Sequence, residues 1–439
     1  MSMCSKRRIN VLVCPFGDLN LLTFLFELLD ANIPNKYSVT FISFTEYDKL
    51  VYSTIERERI HIPPGTREEW FDNNDLDDVC RFTLGLSRYH EILDSDDYFQ
   101  LAANHYGARI SEVIQSHNID HVVLFNGRMN LFIACLDKVA ERAGIPRLIF
   151  EQGLFRPRWI TIDGQGVNAR NSIKTAEDLQ SDEPFEFQQR ELYKDLLSLL
   201  PIDREKIPNV KRRMPLISLM RAYGSSKLRP KRDLFLRNAE NRELLEAAVL
   251  PQRAKCSGQP EKTLDELRCK NDYKYILCPF QVETDTQIIL HSPWISCMSQ
   301  LVNVMCEVVS CLNAEGFKVR VLFKHHPMSN DSVRVSHPNA DLIEDIPMSE
   351  AFRELRPLVV TINSTAGIEA IEAGLPVITL GEAFFNLPDV ILGTCRDANS
   401  LLHLLLKFYR GDIQCRPEIE MEFIRNLRSK YQVLAYQKY

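Results

Sequence analysis

The chain has 439 residues, 45% of them hydrophobic and 26% charged, with 59 acidic against 53 basic side chains and a net charge of −6. That length predicts two or three domains with full apolar cores, and the acidic balance argues against a nucleic-acid partner. Its 12 cysteines form no CxxC pair and follow no regular spacing, which fits reduced thiols in a cytoplasmic protein better than a disulfide framework or a zinc site.

The opening MSMCSKRRINVLVCPFGDLN sets basic residues before an apolar run, as a signal peptide does. The run from Ile9 to Phe16 is broken by Gly17 and Asp18 and no small-residue cleavage site follows, so it reads as a first buried strand. No stretch approaches the ~20 apolar residues that span a bilayer, so a soluble or peripheral protein is expected. Further strand-like runs follow, SVTFIS, HVVLFN and RLIF, separated by amphipathic stretches such as LLTFLFELLD and NLFIACLDKVAERAG. DSDD, Asp94 to Asp97, has the DxD form of metal-dependent sugar transferases. No strand precedes it, so it reads as a solvated helix start. After residue 270 the alternation restarts with KYILCP, KVRVLF, LVVTI and PVITL.

Buried strands alternating with helices predict doubly wound parallel α/β domains. The expected division is a Rossmann-like acceptor-side domain over 1–175, a helical and basic connecting segment over 176–270, a nucleotide-side Rossmann-like domain over 271–415 and a terminal helix over 416–439. In that helix Ile424, Leu427 and Tyr431 share one face. Two such domains facing a cleft would take a ligand at strand carboxyl ends.

Four stretches carry the candidate chemistry. In FEQGLFRPRWITIDGQGVNARNSI, residues 150–173, Glu151, Arg156, Arg158, Asp163, Asn168 and Asn171 share a loop-rich segment. Its GxGxxA string from Gly164 to Ala169 does not lead into an apolar helix, which excludes a dinucleotide fingerprint. In CPFQVETDTQIILHS, residues 278–292, Gln281, Glu283, Asp285 and Gln287 follow a strand, and the spacing alone reads as a solvated loop. In LFKHHPMSN, Lys324, His325 and His326 end another strand, and Pro327 forces the chain out of regular structure. A cation and an imidazole there suit a phosphate or a carboxylate. In TINSTAGIEAIEAGLPVITLG, residues 361–381, an apolar run opens onto Asn363, Ser364, Thr365 and Gly367. Amides at a helix start, hydroxyls and the helix dipole make an anion site. Gly367 allows close approach, and Glu369, half a turn on, could reach a ribose hydroxyl. Ordinary N-capping by Asn363 or Ser364 is the competing reading.

In this order the four stretches resemble the KpsS/KpsC-type capsule-polysaccharide proteins, retaining β-Kdo glycosyltransferases of Gram-negative bacteria, and the KpsS branch above all. FEQGLFRPRWITIDGQGVN resembles that branch's E-x-G-x-x-R-P-x-x-I-T followed by G-V-N, and PFQVETDTQIILHS its Q-V-x-x-D-x-Q element. KHHP and NSTAGIEAIEAGLPVITLG resemble its nucleotide-side motifs. The resemblance implies a GT-B-like fold, CMP-Kdo as donor, no cofactor and no catalytic metal. It implies Asp285 as nucleophile and Glu151 as acid/base carboxylate. On the donor it implies His326, with Lys324, Gln281, Asn363, Ser364, Thr365, Gly367 and Glu369 around it, and on the acceptor or sugar Arg156 and Asn168. Gln152 stands where the family often has an acid, and the N-terminal stretch lacks the usual glycine-rich start.

The implied acceptor is a phosphatidylglycerol-type lipid or a Kdo-glycan, which would place the protein at the cytoplasmic face of the inner membrane beside other capsule assembly proteins. The segment Lys211–Arg237, with nine basic residues and one acidic, interleaves Leu216, Ile217, Leu219 and Met220 and suits an anionic membrane surface; a solvated basic linker is the alternative. Two other functions stay open at this point. A sugar-nucleotide epimerase of similar architecture would turn over its substrate without an acceptor, and a non-catalytic component of capsule assembly and export would not need Glu151 and Asp285 together.

Overall fold

The computed structural model describes residues 7–16, 19–45, 49, 57–89, 91, 96–155, 157–207, 263–268, 272–326, 333–343 and 346–437. These divide into two compact units. The first takes the described residues within Met1–Ser172, Glu183–Pro251 and Tyr431–Tyr439, the second those within Ile173–Asp182 and Gln252–Lys430.

The strands of the first unit are β1 (Ile9–Cys14), β2 (Tyr37–Ser43), β3 (Glu58–His61), β4 (His121–Phe125), β5 (Arg147–Gln152), β6 (Trp159–Asp163) and β13 (Gln432–Leu434). They form one sheet in the order β13-β6-β5-β4-β1-β2-β3. From β5 to β3 all neighbours are parallel, while β6 runs antiparallel to both β5 and β13. The middle strands are apolar on both faces because helices cover both. Leu12, Val13, Val122 and Val123 are fully buried. Helix Leu131–Arg142 starts where the Asn130 Oδ1 accepts from the Ile133 amide at 2.9 Å. It buries Phe132 against Phe44, ring centroids 4.5 Å apart. Each such side chain contributes roughly 1.5–3 kcal/mol on burial.

The second unit holds β7 (Lys274–Pro279), β8 (Val319–Lys324), β9 (Ala340–Ile343), β10 (Leu358–Thr361), β11 (Val377–Thr379) and β12 (Gly393–Thr394). Their order is β12-β11-β10-β7-β8-β9, all parallel. Helix Met298–Ala314 presents Leu301, Met305, Val309 and Leu312 to the core, and Leu401 and Leu405 of helix Ala398–Arg410 join the same cluster. The chain runs from β7 to β8 on one side and returns to β10 on the other. The order therefore reverses between β7 and β10, the place where such sheets bind ligands.

Both units are doubly wound and Rossmann-like, as the alternation of apolar runs and amphipathic helices predicts. The tail differs from the terminal helix expected over 416–439. A helix spans Pro417–Asn426, a π-helical turn continues it over Leu427–Tyr431, and Gln432–Leu434 form β13, which pairs with β6 in the first sheet. Ile424, Leu427 and Tyr431 all lie in these helical turns, as their spacing predicts, and Tyr431 packs into the first unit through its hydroxyl. Of the expected connecting segment, the described helices are Ala176–Gln180, Glu186–Gln189, Glu191–Ser198 and Leu264–Arg268. Among the described residues, no helix is long and apolar enough to cross a membrane.

Candidate functional site

In the first unit, the motif of residues 150–173 is an antiparallel hairpin followed by a tight loop. Glu151 lies opposite Thr161, and Thr161 lies opposite Gln432. Directly opposed residues share a face of the sheet, so Glu151, Thr161 and Gln432 form one polar row across β5, β6 and β13. Gly153 follows because an added Cβ would meet the Trp159 carbonyl at 2.3 Å. The loop after β6 folds around Asp163, which is fully buried and accepts from the amides of Gln165 (2.6 Å), Gly166 (3.0 Å) and Ser172 (2.8 Å) and from the Ser172 hydroxyl (3.0 Å). It also accepts from the Tyr431 hydroxyl, 2.8 Å away. Burial, then the Asp163 charge, holds the Tyr431 phenol well above its ordinary pKa, so it stays a donor.

That loop brings Asn168 to Glu151. Asn168 adopts a left-handed backbone (φ 54°), which asparagine tolerates better than most residues, and its Nδ2 donates to Glu151 Oε1 at 3.2 Å. Arg170, two residues on, pairs with Asp78 at 3.3 Å. Burial pushes the Asp78 carboxyl up, but Arg128, Arg170 and Lys138 outweigh it and hold the pKa below its ordinary value. The two site candidates Glu151 and Asn168 are therefore in contact. Arg156 lies outside the described residues.

In the second unit, the other three motifs leave the carboxyl ends of β7, β8 and β10, which are adjacent. Gln281 and Asn363 meet across the reversal point. Gln281 Nε2 donates to Asn363 Oδ1 at 2.9 Å, and the Asn363 amide donates back to Gln281 Oε1 at 3.2 Å. Asn363 Nδ2 donates to the carbonyls of Gln287 (2.8 Å) and His291 (3.2 Å). Both side chains are buried and serve the loops themselves. Glu283 is buried as well and accepts from the Met298 amide at 2.5 Å, so the loop after β7 is anchored rather than merely solvated.

Asp285 is exposed and caps helix Thr286–His291. Its Oδ1 accepts from the Gln287 amide at 2.9 Å and the Thr286 hydroxyl at 3.1 Å. Oδ2 has no protein donor among the described residues. Lys324 ends β8 and His326 follows two residues on, both half-buried. Two strand spacings, about 10 Å, separate β8 from β10, a gap that a lysine arm and a nucleotide phosphate can bridge.

The turn after β10 departs from the expected cradle of free amides. The Ser364 amide donates to Thr361 Oγ1 and the Ala366 amide to Ser364 Oγ, each at 3.2 Å. Those of Gly367 and Ile368 reach the carbonyls of Ser364 and Thr365 at 3.0 Å. What the turn presents is hydroxyls: Thr365 makes no side-chain capping bond, and Ser364 keeps its proton to donate. Glu369, four residues beyond Thr365, is exposed. Gly367 is buried, and a Cβ there would meet the Phe385 ring at 2.8 Å. The close neighbour that requires glycine is a side chain of the core, not a ligand. Gly367→Val is accordingly expected to destabilise the fold by about 1–3 kcal/mol through overpacking, read as a lowered thermal midpoint. An unchanged midpoint would show that Phe385 gives way.

Among the described residues, no three His, Cys, Asp or Glu side chains converge so as to hold a metal ion. The DxD string falls partly outside the described residues, and its last two members, Asp96 and Asp97, lie in the first turn of helix Asp96–Ser116, as a helix start would have them.

The sequence model of the family described as "Capsule polysaccharide biosynthesis protein" matches residues 121–196 and 246–397, more than half of the chain and both motif regions. The chain belongs to that family. Among curated proteins, the chain is 37% identical over 121 residues to Protein FixF of Sinorhizobium fredii, covering 27% of this chain and 29% of FixF. It is 24% identical over 319 residues to the capsule polysaccharide modification protein LipB of Neisseria meningitidis serogroup A, covering 69% and 71%. It is 27% identical over 273 residues to the capsule polysaccharide export protein KpsS of Escherichia coli, covering 56% and 64%. The family resemblance read from the four motifs is thus borne out, and the match spans less than a third of FixF.

The sequence reading missed Thr161 and Gln432, named Asp163 in the motif without a role, and placed Tyr431 on an apolar helix face. The alternation in WITID, with Thr161 and Asp163 against Ile160 and Ile162, was the available signal of a polar sheet face.

Proposed function

We propose that the protein is a retaining glycosyltransferase that moves Kdo from CMP-Kdo to a lipid or glycan acceptor in capsule polysaccharide synthesis. The observation that carries this reading is Asp285: an exposed carboxylate beyond a parallel strand, with one oxygen engaged in capping and the other open to a substrate. Family membership supports it, since the matched residues include both Asp285 and Glu151.

In the first step, Asp285 Oδ2 attacks the anomeric carbon of Kdo, and the bond to the CMP phosphate breaks with its electron pair leaving on CMP. In the second, the acceptor hydroxyl gives its proton to Glu151 and attacks the same carbon, and Asp285 departs as carboxylate. Two inversions restore the configuration. Lys324 and His326 would offset the charge of the phosphate and the sugar carboxylate. The Ser364 and Thr365 hydroxyls would add hydrogen bonds, and Glu369 would take a ribose hydroxyl. Gln281 and Asn363 act by fixing the loops, and Gly367 by admitting Phe385. On the acceptor side, Asn168 would hold Glu151, and Arg156 would meet the acceptor or sugar. No cofactor or metal is called for, because CMP is already a good leaving group.

The test is incubation of purified protein with CMP-Kdo, following CMP release with and without phosphatidylglycerol or a Kdo-terminated glycan. Acceptor-stimulated release and a Kdo-bearing product are expected; no release under any condition would remove the assignment.

A lipid acceptor would put the enzyme at an anionic inner-membrane surface, beside other capsule assembly proteins. The segment Lys211–Arg237, which lies outside the described residues, would supply the contact, each basic residue contributing about 1 kcal/mol near an anionic leaflet. Flotation with phosphatidylglycerol vesicles is expected to carry the protein upward at low salt and to release it at high salt. Failure to float at any salt concentration would sink the membrane contact.

A further inference from the structure

Tyr431 and Gln432 return the chain to the first unit, and their side chains fasten the two loops that flank Glu151. Gln432 Oε1 accepts from the Leu154 amide at 2.9 Å, and its Nε2 donates to Thr161 Oγ1 at 2.8 Å. The first bond holds the stretch that leaves β5 immediately after Glu151. The second joins Gln432 to the residue directly opposite Glu151. Tyr431 donates to Asp163, the buried carboxylate around which the Asn168 loop is folded. Farther along, the Ala435 amide donates to the Arg158 carbonyl at 2.9 Å, so the tail grips the far side of the same hairpin.

These contacts cost more than a fold anchor needs. Gln432 and Thr161 are each 5% exposed and Tyr431 is 1% exposed, and buried polar groups are tolerated only when bonded. A strand serving only to cover β6 could use apolar side chains at both positions. The polar choice instead fixes hydrogen-bonded positions on either side of one carboxylate. We propose that Tyr431 and Gln432 are positioning residues for Glu151: they hold the stretch at Leu154 and the 164–172 loop in register, so that Asn168 and the Glu151 carboxylate keep their relative placement. The inference deepens the transferase reading above and rests on it for its kinetic consequence, though not for its structural one.

The test uses the full chain with Gln432→Met, which keeps side-chain length without polar atoms, and Tyr431→Phe, which removes only the hydroxyl. Hydrogen exchange needs no substrate. The amides of Leu154 in Gln432→Met, and of Gly166 and Ser172 in Tyr431→Phe, are expected to exchange about tenfold faster or more, with amides of β1 and β4 unchanged. Kinetics then separates positioning from general weakening. With CMP-Kdo and phosphatidylglycerol in mixed micelles, kcat is expected to fall about tenfold or more in each variant, with kcat/KM for CMP-Kdo within about twofold of the parent, because Glu151 acts only after CMP has left. Unchanged exchange at these amides overturns the inference whatever the activity. Faster exchange with unchanged kcat overturns it too, because the loops would then loosen without consequence for Glu151. If the parent itself does not turn over CMP-Kdo, the transferase reading falls, and the inference is decided by exchange alone. Should Gln432→Met fail to fold, Tyr431→Phe carries the same decision.

Discussion

Asp285→Asn is expected to leave a folded protein that binds CMP and transfers no Kdo. In the proposed mechanism Asp285 has two separable roles. As a cap, Asp285 contributes an oxygen to the Gln287 amide and to the Thr286 hydroxyl, and asparagine caps about as well as aspartate. As a nucleophile it contributes a carboxylate, which an amide cannot replace. The variant's thermal midpoint is therefore expected within about 2 °C of the parent, because a chain of this size shifts roughly 2–4 °C per kcal/mol. Transfer is expected to fall by about three orders of magnitude or more, equivalent to at least ~4 kcal/mol of barrier. Affinity for CMP, measured by calorimetry, should stay within about threefold, since the nucleotide contacts proposed above come from Lys324, His326 and the 364–365 turn. Asp285→Ala completes the comparison: equal loss of transfer, plus about 1 kcal/mol of stability for the missing cap. Full transfer by Asp285→Asn would leave Asp285 as a cap and nothing more.

What the sequence made legible, and what it hid, follows from which forces act locally. The strands of the second unit were readable because parallel strands are buried on both faces. Ile276 to Cys278 and Val321 to Phe323 are continuous apolar runs of negligible exposure. Strands β6 and β13 were not readable in this way, one being half polar and the other three residues long. The spacing of Ile424, Leu427 and Tyr431 fits the helical turns they form, but Tyr431 finds its partner in Asp163, 268 residues earlier, and no local pattern encodes a contact at that separation. The same limit governs the site. Polar residues at strand ends stood out, and Gln281 and Asn363 both look like ligand groups. Only the fold reveals that they bond each other across 82 residues. Gly367 carries the parallel lesson, since a glycine beside hydroxyls suggests a phosphate where the space belongs to Phe385. The contact between Glu151 and Asn168 was legible only through the family motif that holds both.

Glu151→Gln is expected to trap the reaction between its two steps. The substitution is nearly isosteric, and the glutamine oxygen can still accept from Asn168 Nδ2, so the hairpin and its loop should keep their geometry. What is lost is the ability to take the proton of the acceptor hydroxyl. The first step, attack by Asp285 with loss of CMP, does not need that proton transfer and should proceed. The second step is expected to slow by roughly 10²–10⁴-fold, the usual contribution of a positioned general base. A burst of CMP release, close to one equivalent per enzyme and followed by a slow steady state, is the kinetic signature of such an imbalance. Intact-protein mass spectrometry of Glu151→Gln after brief exposure to CMP-Kdo should show the mass of one added Kdo residue, and fragmentation should map it to Asp285. The double variant with Asp285→Asn should show neither burst nor adduct, because the ester has nowhere to form. An adduct on any other residue would reassign the nucleophile. A burst that is absent while steady transfer persists would mean that Glu151 is not the base, and that the acceptor is activated elsewhere.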